Sequence, residues 1–388
     1  MWKAEIEKEL KEHIIPFWLG MKDERGGFYG YLDTGLHLDK NAPKGCILNS
    51  RILWFFGNAY AYLKAPELLD GAKHAYVFLR DKMIDKEYGG LYWSLDYAGN
   101  PVDTTKHTYN QAFGIYALSS YYIASGDKEA LSLAYKLYDL IESKCRDEEG
   151  YLEAFDRSFH PAGNEHLSEN GVEAKRTMNT LLHVFEAYTE LYRAEQRADV
   201  KEKLRWILDC FRTKMYNPDK KRQEVFFDLE YNSLIDLHSY GHDIETAWLL
   251  DRGIEVMGEE SYREIFRPIT QSLEENVLRL AFDGKALLNE CEKGVNDTRR
   301  IWWVQAEAVV GFYNAYMKRQ DAEQFKDAAV KIWEYIKEYV IDKREGSEWF
   351  SQVNDKDEPI KEYPIVEPWK CPYHNGRMCL EMCRRLNA

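Results

Sequence analysis

G-G-F-Y-G-Y at residues 26–31, G-G-L-Y-W at 89–93 and E-G-Y-L-E-A-F at 149–155 are three versions of one short phrase. Each is a turn residue followed by an aromatic or aliphatic stretch, the pattern of a small hairpin or tight loop. Weaker echoes follow: Q-E-V-F-F-D from Gln223, D-G-K-A-L-L-N-E from Asp283 and G-S-E-W-F from Gly346. Counted from Gly27, Gly90, Gly150, Glu224, Gly284 and Gly346, the spacings are 63, 60, 74, 60 and 62 residues. A period of that length marks a repeated supersecondary unit.

Between echoes lie two stretches of helical periodicity, such as 47–63 with 66–83 and 106–125 with 127–144. Later pairs begin near Ala174 and Val200, His238 and Glu260, and Arg299 and Asp321. A helix near residues 370–386 is left to pair with one near residues 3–20. Six pairs can form an open solenoid or a closed ring. Closure is favoured, because the first and last helices each lack a partner and complete the sixth pair together. The sequence therefore predicts an all-α fold, an (α/α)6 barrel of twelve helices with short β-hairpins or loops at one end. Pro and Gly are not concentrated in any linker-like stretch, so residues 1–388 are read as a single domain.

The chain has 388 residues, 45% hydrophobic and 30% charged, with a net charge of −14. The acidic balance argues against nucleic-acid backbones and anionic membranes as partners. No apolar run approaches transmembrane length. The N-terminal M-W-K-A-E-I-E-K-E-L-K-E-H lacks a signal-peptide core. Seven cysteines without paired spacing suit a reduced, cytoplasmic setting. Cys371, Cys379 and Cys383, with His374 nearby, can be read as metal ligands, although cysteine is more often a small core residue. Aromatic residues make up 14% of the chain. That level fits an aromatic-rich core, or a pocket for a ligand with flat apolar faces and hydroxyls, such as a sugar.

The first helix of each pair carries most of the unusual polar residues and is assigned to the inner ring. These residues are Asn49 and Arg51; Tyr109 and Asn110; Asn179 and His183; His238, His242, Glu245 and Trp248; Trp302, Trp303 and Glu307; and His374 and Arg377. Burying such groups unpaired costs about 1–3 kcal/mol each. Their convergence implies a polar cavity along the barrel axis. Singly, each has a plainer reading. Arg51 can bridge helices through a buried carboxylate, Tyr109 can brace its neighbours, His183 can be a satisfied core histidine, Trp303 can be packing, and Arg377 can face a helix dipole.

L-H-S-Y-G-H-D-I-E-T-A-W at 237–248 is the densest cluster. On a helix His238 and His242 share a face, with Glu245 one turn further on. That spacing suits a divalent metal, or a general base beside a carboxylate that tunes it.

The strings F-Y-G-Y-L-D, S-R-I-L-W-F-F, K-H-T-Y-N, H-S-Y-G-H-D-I-E, W-W-V-Q-A-E-A and P-W-K-C-P-Y-H-N-G-R-M-C resemble the N-acylglucosamine 2-epimerase superfamily along essentially the whole chain. Within it the likeness is to members that invert C2 of the reducing-end glucose of cellobiose. The resemblance implies ring opening, removal of the C2 proton, an enediolate, and reprotonation to mannose, with His242 and His374 on opposite faces of the sugar. It implies that Glu245 orients its histidine neighbour and that Arg51 stabilises the developing negative charge. Tyr109, Asn179, His183, Trp303 and Glu307 match sugar-contacting positions, and Trp369 matches an aromatic that packs on a second sugar. Trp248 and Arg377 complete the expected substrate-binding set.

An unperturbed imidazole pKa of about 6.5 lets one histidine act as base and another as acid near neutrality. There is no G-x-G-x-x-G turn for a nicotinamide cofactor, and neither cofactor nor metal is expected. The expected partner is a disaccharide such as cellobiose or lactose, bound by a monomer or weak homodimer. The rival readings are an N-acylglucosamine epimerase, a mannose-type aldose–ketose isomerase, a non-catalytic sugar-binding barrel, and an inverting glycoside hydrolase. The last would need two carboxylates about 6.5–9.5 Å apart, for which Glu245 and Glu307 are the candidates.

Overall fold

The computed structural model describes residues 2–164, 166–167 and 170–387. Among these residues it contains twelve helices, once each π-helical turn is joined to the α-helix it extends. They are α1 (2–20), α2 (Cys46–Leu63), α3 (66–83), α4 (Thr108–Ser125), α5 (Lys128–Lys144), α6 (Met178–Ala194), α7 (198–215), α8 (Tyr240–Met257), α9 (Glu260–Ala281), α10 (Trp302–Lys318), α11 (323–340) and α12 (His374–Arg385). The even-numbered helices form the inner ring, each packed on the next, and α12 closes onto α2. The odd-numbered helices surround them, with α1 laid against α12. This is the (α/α)6 barrel that the repeats predict.

Burial follows the two roles. Every residue of α4 from Thr108 to Tyr121 is buried, as for a helix covered on all sides. Outer helix α5 buries one stripe, Ala130, Ala134, Leu137, Tyr138 and Ile141. Its start is fixed by Asp127, whose carboxylate accepts the Glu129 and Ala130 backbone N–H groups. Outer helices α3, α7 and α11 each end in a π turn, Leu79–Met83, Phe211–Met215 and Ile336–Val340. The repeat thus extends to the helix ends.

The glycine phrases are the links between repeats. A short strand just before five of the inner helices pairs with the hairpin of the next unit: Lys44–Gly45 with Ser94–Leu95, Lys106–His107 with Ala154–Phe155, and Arg176–Thr177 with Phe226–Phe227. Leu237–Ser239 pairs with Glu290–Glu292, and Arg300–Ile301 with Gln352–Val353. Leu32 bridges to Val366 and completes the circle. The fourth helical residue of four inner helices grips the preceding hairpin. Asn49, Gln111, Asp243 and Gln305 accept the backbone N–H groups of Phe28, Leu91, Gln223 and Leu287. Gly27 sits at φ +68°, and a Cβ there would lie 2.8 Å from the Asn49 oxygen, so the turn needs glycine.

A basic residue stands two places before five of the inner helices: Lys44, Lys106, Arg176, His238 and Arg300. Four of them reach back to an acid in the preceding turn. Lys44 pairs with Asp23 at 2.7 Å, Lys106 with Asp85 at 3.2 Å, Arg176 with Asp147 at 2.6 Å, and Arg300 with Asp283. His238 instead bonds Asp243 at 2.7 Å.

At the C-terminal ends of the inner helices, polar side chains tie neighbour to neighbour. Ser120 donates to Glu190 at 2.8 Å, and Arg252 donates to the same carboxylate at 3.0 Å. Asn314 donates to Asp251 at 2.7 Å and accepts from Arg385 at 2.8 Å, while Arg384 donates to Asn58 at 3.2 Å. All six inner helices contribute to this polar floor.

Candidate active site

At the opposite, N-terminal end of the inner ring a cavity of about 410 Å³ opens, within the usual range for a small-molecule site. On a helix the second and sixth residues lie one turn apart on one face, and in several inner helices that face is turned toward the axis. Tyr109, Asn179 and Trp303 are second residues, and Arg51, His183 and Glu245 are sixth residues; all six line the cavity. His242, His374 and Trp369 line it as well.

The two histidines meet on one aromatic ring. His242 lies 4.8 Å from the Trp303 ring and His374 5.5 Å from it, centre to centre. His374 Nδ1 bonds Glu307 Oε1 at 2.7 Å. A carboxylate only accepts, so Nδ1 carries the proton and Nε2 keeps its lone pair. His242 Nδ1 bonds the Ser239 hydroxyl at 2.7 Å. When Ser239 donates, Nδ1 accepts and Nε2 carries the proton. Burial pushes the His242 pKa down to about 3, with His183 nearby adding to the effect. Burial, then Arg377 and Arg51, holds His374 well below the ordinary value. Both imidazoles are neutral, one with a free acceptor and one with a free donor.

Beneath them Arg377 joins three carboxylates. Its Nη1 donates to Glu186, and its Nη2 donates to Glu245 and, at 2.7 Å, to Glu307. Glu186 also bonds His183 Nδ1 at 2.9 Å and accepts the Tyr373 hydroxyl. Burial works against an ionised Glu186, but the adjacent Arg377 charge holds its carboxyl below the usual range. Glu307 takes the Trp248 indole N–H at 2.9 Å besides its bonds to Arg377 and His374. Glu245 has one such bond, and its Oε2 is buried without a hydrogen-bond partner. Burial, then the charge of Glu307, pushes the Glu245 pKa up to about 8. Burial pushes Glu307 up as well, but Arg377 and the Trp248 indole N–H oppose it. It accepts three hydrogen bonds to one for Glu245, so of this pair Glu245 is the protonated member and Glu307 the ionised one.

Arg51 is held between the Phe113 and Tyr373 rings, 4.3 and 4.6 Å from their centres. It donates to the Tyr109 hydroxyl at 2.8 Å and to the Trp369 carbonyl at 3.1 Å. Its Nε is unpaired. The guanidinium has no carboxylate among these bonds, so its charge is free to face an anion in the cavity.

Several sequence expectations are corrected. His238 does not share a helical face with His242, because α8 begins at Tyr240 and His238 lies in the preceding strand. Glu245 bonds Arg377, and His242 is oriented by Ser239. Glu307, Trp248 and Arg377 lie behind the cavity wall and hold the groups that line it. Asn49 grips a hairpin, and Asn110 donates to the Tyr92 carbonyl at 2.9 Å. Burial raises the Cys371, Cys379 and Cys383 thiols, which leaves them protonated and poor metal ligands. Among the described residues the geometric metal candidate is Glu245, Glu307 and His374, with atoms within 4.8 Å of one another. Arg377 already supplies the cation there. The same closeness is too short for the carboxylate pair of an inverting hydrolase.

A family model for N-acylglucosamine 2-epimerase matches residues 27–375. The chain belongs to that family. A cellobiose 2-epimerase of Ruminococcus albus is 54% identical over 386 residues, 99% of each chain. The crystal structure of a sugar epimerase from a ruminal bacterium superposes with a TM-score of 0.98 at 54% identity, covering 99% of both chains. That of cellobiose 2-epimerase from Bacillus thermoamylovorans gives 0.95 at 46%, again covering 99% of both.

In this N-acylglucosamine 2-epimerase family member the residues that sequence reasoning passed over are Ser239, Glu186, Phe113 and Tyr373. Ser239 and Glu186 carried a signal, since each stands three places from a histidine it bonds. Tyr373 carried none, because only barrel closure brings it onto Glu186. Among the described residues no helix is long and apolar enough to cross a membrane.

Proposed function

We propose that the protein is a cellobiose 2-epimerase, converting the reducing-end glucose of cellobiose, and of lactose and related β-1,4-disaccharides, to mannose. The observation that carries this reading is the pair of neutral imidazoles, His242 and His374, packed on one indole ring in a cavity that also holds a guanidinium without a carboxylate partner, Arg51. With the ring opened, one histidine takes the C2 proton. The electron pair left on C2 delocalises onto the C1 oxygen, giving an enediolate beside Arg51 and Tyr109. After rotation about C2–C3 the other histidine gives its ring proton to the opposite face of C2. The proton held by the first imidazolium passes through the cavity to replace it, so both imidazoles end neutral. The reverse reaction exchanges the two roles.

His374 has the better base, because Glu307 stabilises the imidazolium that forms. His242 serves as the acid when the Ser239 hydroxyl donates to its Nδ1, which places the ring proton on Nε2. Asn179 and His183 are assigned to sugar hydroxyls and Trp369 to the face of the second sugar. We read residues 1–388 as one catalytic domain, working as a monomer or weak homodimer in the cytoplasm without a cofactor.

The test is incubation with cellobiose in heavy water followed by NMR. Deuterium at C2 of a glucosyl-mannose product is expected. Free glucose would point to hydrolysis, a ketose to isomerisation, and unchanged cellobiose with turnover of N-acylglucosamine to the sister activity. Each of these would overturn the reading.

A further inference from the structure

Helix α6 carries Asn179 and His183 into the cavity, yet it lacks the grip that its neighbours use. Its fourth residue is Leu181, where α2, α4, α8 and α10 have Asn49, Gln111, Asp243 and Gln305. The contact is made in the other direction. Glu153, in the hairpin ahead of α6 and only 2% exposed, accepts the Thr177 backbone N–H and the Thr180 hydroxyl, both at 2.7 Å. Its own carbonyl accepts the Thr108 N–H at 3.0 Å, at the start of α4. One residue thus ties together the N-termini of the two helices that present Tyr109, Asn179 and His183.

The placement is specific to Asn179. Thr177 and Thr180 flank it, and Thr177 itself lines the cavity. Thr177 is also the cap of α6, its hydroxyl accepting the Thr180 N–H at 3.0 Å. With Glu153 on Oε1 and Oε2, both sides of Asn179 are fixed in the first helical turn. Asn179 Oδ1 is buried with no hydrogen-bond partner, so the aligned group is held ready for a donor from outside the chain.

We propose that Glu153 is a positioning residue for the reaction: through Thr177 and Thr180 it sets Asn179 against the sugar, without touching the sugar itself. This rests on the epimerase reading above. Glutamine at 153 can keep both contacts, its oxygen on the Thr177 N–H and its amide on the Thr180 hydroxyl. Alanine can keep neither.

The experiment compares wild type, Glu153→Ala, Glu153→Gln and Thr180→Val for cellobiose epimerisation, with circular dichroism to verify folding. Expected is a rise in KM in the alanine variant, with kcat/KM reduced about 10²-fold as for a misplaced contact group. The glutamine variant should restore most of it, and Thr180→Val should show a smaller loss of the same kind. A folded alanine variant with wild-type kcat/KM overturns the inference, as does equal loss in Ala and Gln. If the alanine variant does not fold, an unchanged KM in Thr180→Val overturns it. Wild-type protein that fails to epimerise cellobiose refutes the functional reading instead.

Discussion

His374 Nδ1 and Glu307 Oε1 lie 2.7 Å apart, and that one bond decides which nitrogen of His374 faces the cavity. Replacing Glu307 with glutamine keeps the shape but offers an amide that can turn its N–H toward Nδ1 and select the wrong tautomer. Loss of an orienting carboxylate of this kind costs about 10²–10⁴ in kcat. Glu307→Gln should fold, retain cellobiose binding and lose turnover on that scale in a steady-state assay. Near-normal kcat would sink the tautomer argument.

His242 and His374 should each be indispensable to exchange at C2. His242→Ala and His374→Ala should show no deuterium uptake into cellobiose by NMR, whereas the parent does. Either variant with ordinary turnover would remove that histidine from the proton-transfer pair.

Arg377 compensates Glu186 and Glu307, donates to Glu245 as well, and is 1% exposed. Arg377→Met leaves buried carboxylates without their cation, a change worth about 3–5 kcal/mol of stability. Thermal unfolding should show a clear drop in Tm. Because the guanidinium already bonds Glu245 and Glu307, a chelator should leave turnover intact. Loss of activity with EDTA, restored by a divalent ion, would place a metal in that cluster.

Acid conditions should separate activity from stability. His242 is held down to about 3 by burial, and His374 is also lowered. The folded protein therefore keeps both imidazoles neutral below the ordinary value of about 6.5, while unfolded chains take up protons there. The stability contributed by this pair is full above pH 6.5 and falls as pH drops toward 3, since the two histidines of the unfolded state bind more protons in that window. Tm should decline below pH 6.5, while kcat/KM shows no step at that pH. An activity step with an apparent pKa near 6.5 would contradict the neutral pair.

Gly241 explains how His242 and Trp303 come together. A Cβ at Gly241 would lie 2.6 Å from the Trp303 ring and 2.7 Å from Val304. Gly241→Ala should displace the indole and cost about 1–3 kcal/mol through overpacking. Activity should fall more steeply than Tm suggests, because both histidines pack on that ring. Unchanged kcat/KM would show that the indole does not set their placement.

The barrel was legible because six phrases at a near-constant interval leave one unpaired helix at each end. Most of the cavity was legible too, since second and sixth residues such as Tyr109, His183 and Glu245 are conspicuous polar breaks in apolar helices. What failed was the segment 237–248, read as one helix. The strand-to-helix change at Tyr240 turns His238 away, and its kinship with Lys44, Lys106, Arg176 and Arg300, each two places before an inner helix, was the overlooked clue. The roles of Trp248 and Arg377 were illegible because the partners they bond, Glu307 and Glu186, stand on other helices. That of Glu307 was illegible because a sixth-residue carboxylate can face the axis or a neighbouring helix. Only the assembled ring decides which.

The polar ties at the C-terminal ends of the inner helices make the reaction chamber a blind well. A sugar chain that enters with its reducing end foremost cannot thread onward past Glu190, Asp251 and Arg385. It must back out by the way it came, whatever its length. On the reading proposed here, the enzyme is a reader of chain termini that alters one residue per visit and never travels along a polymer.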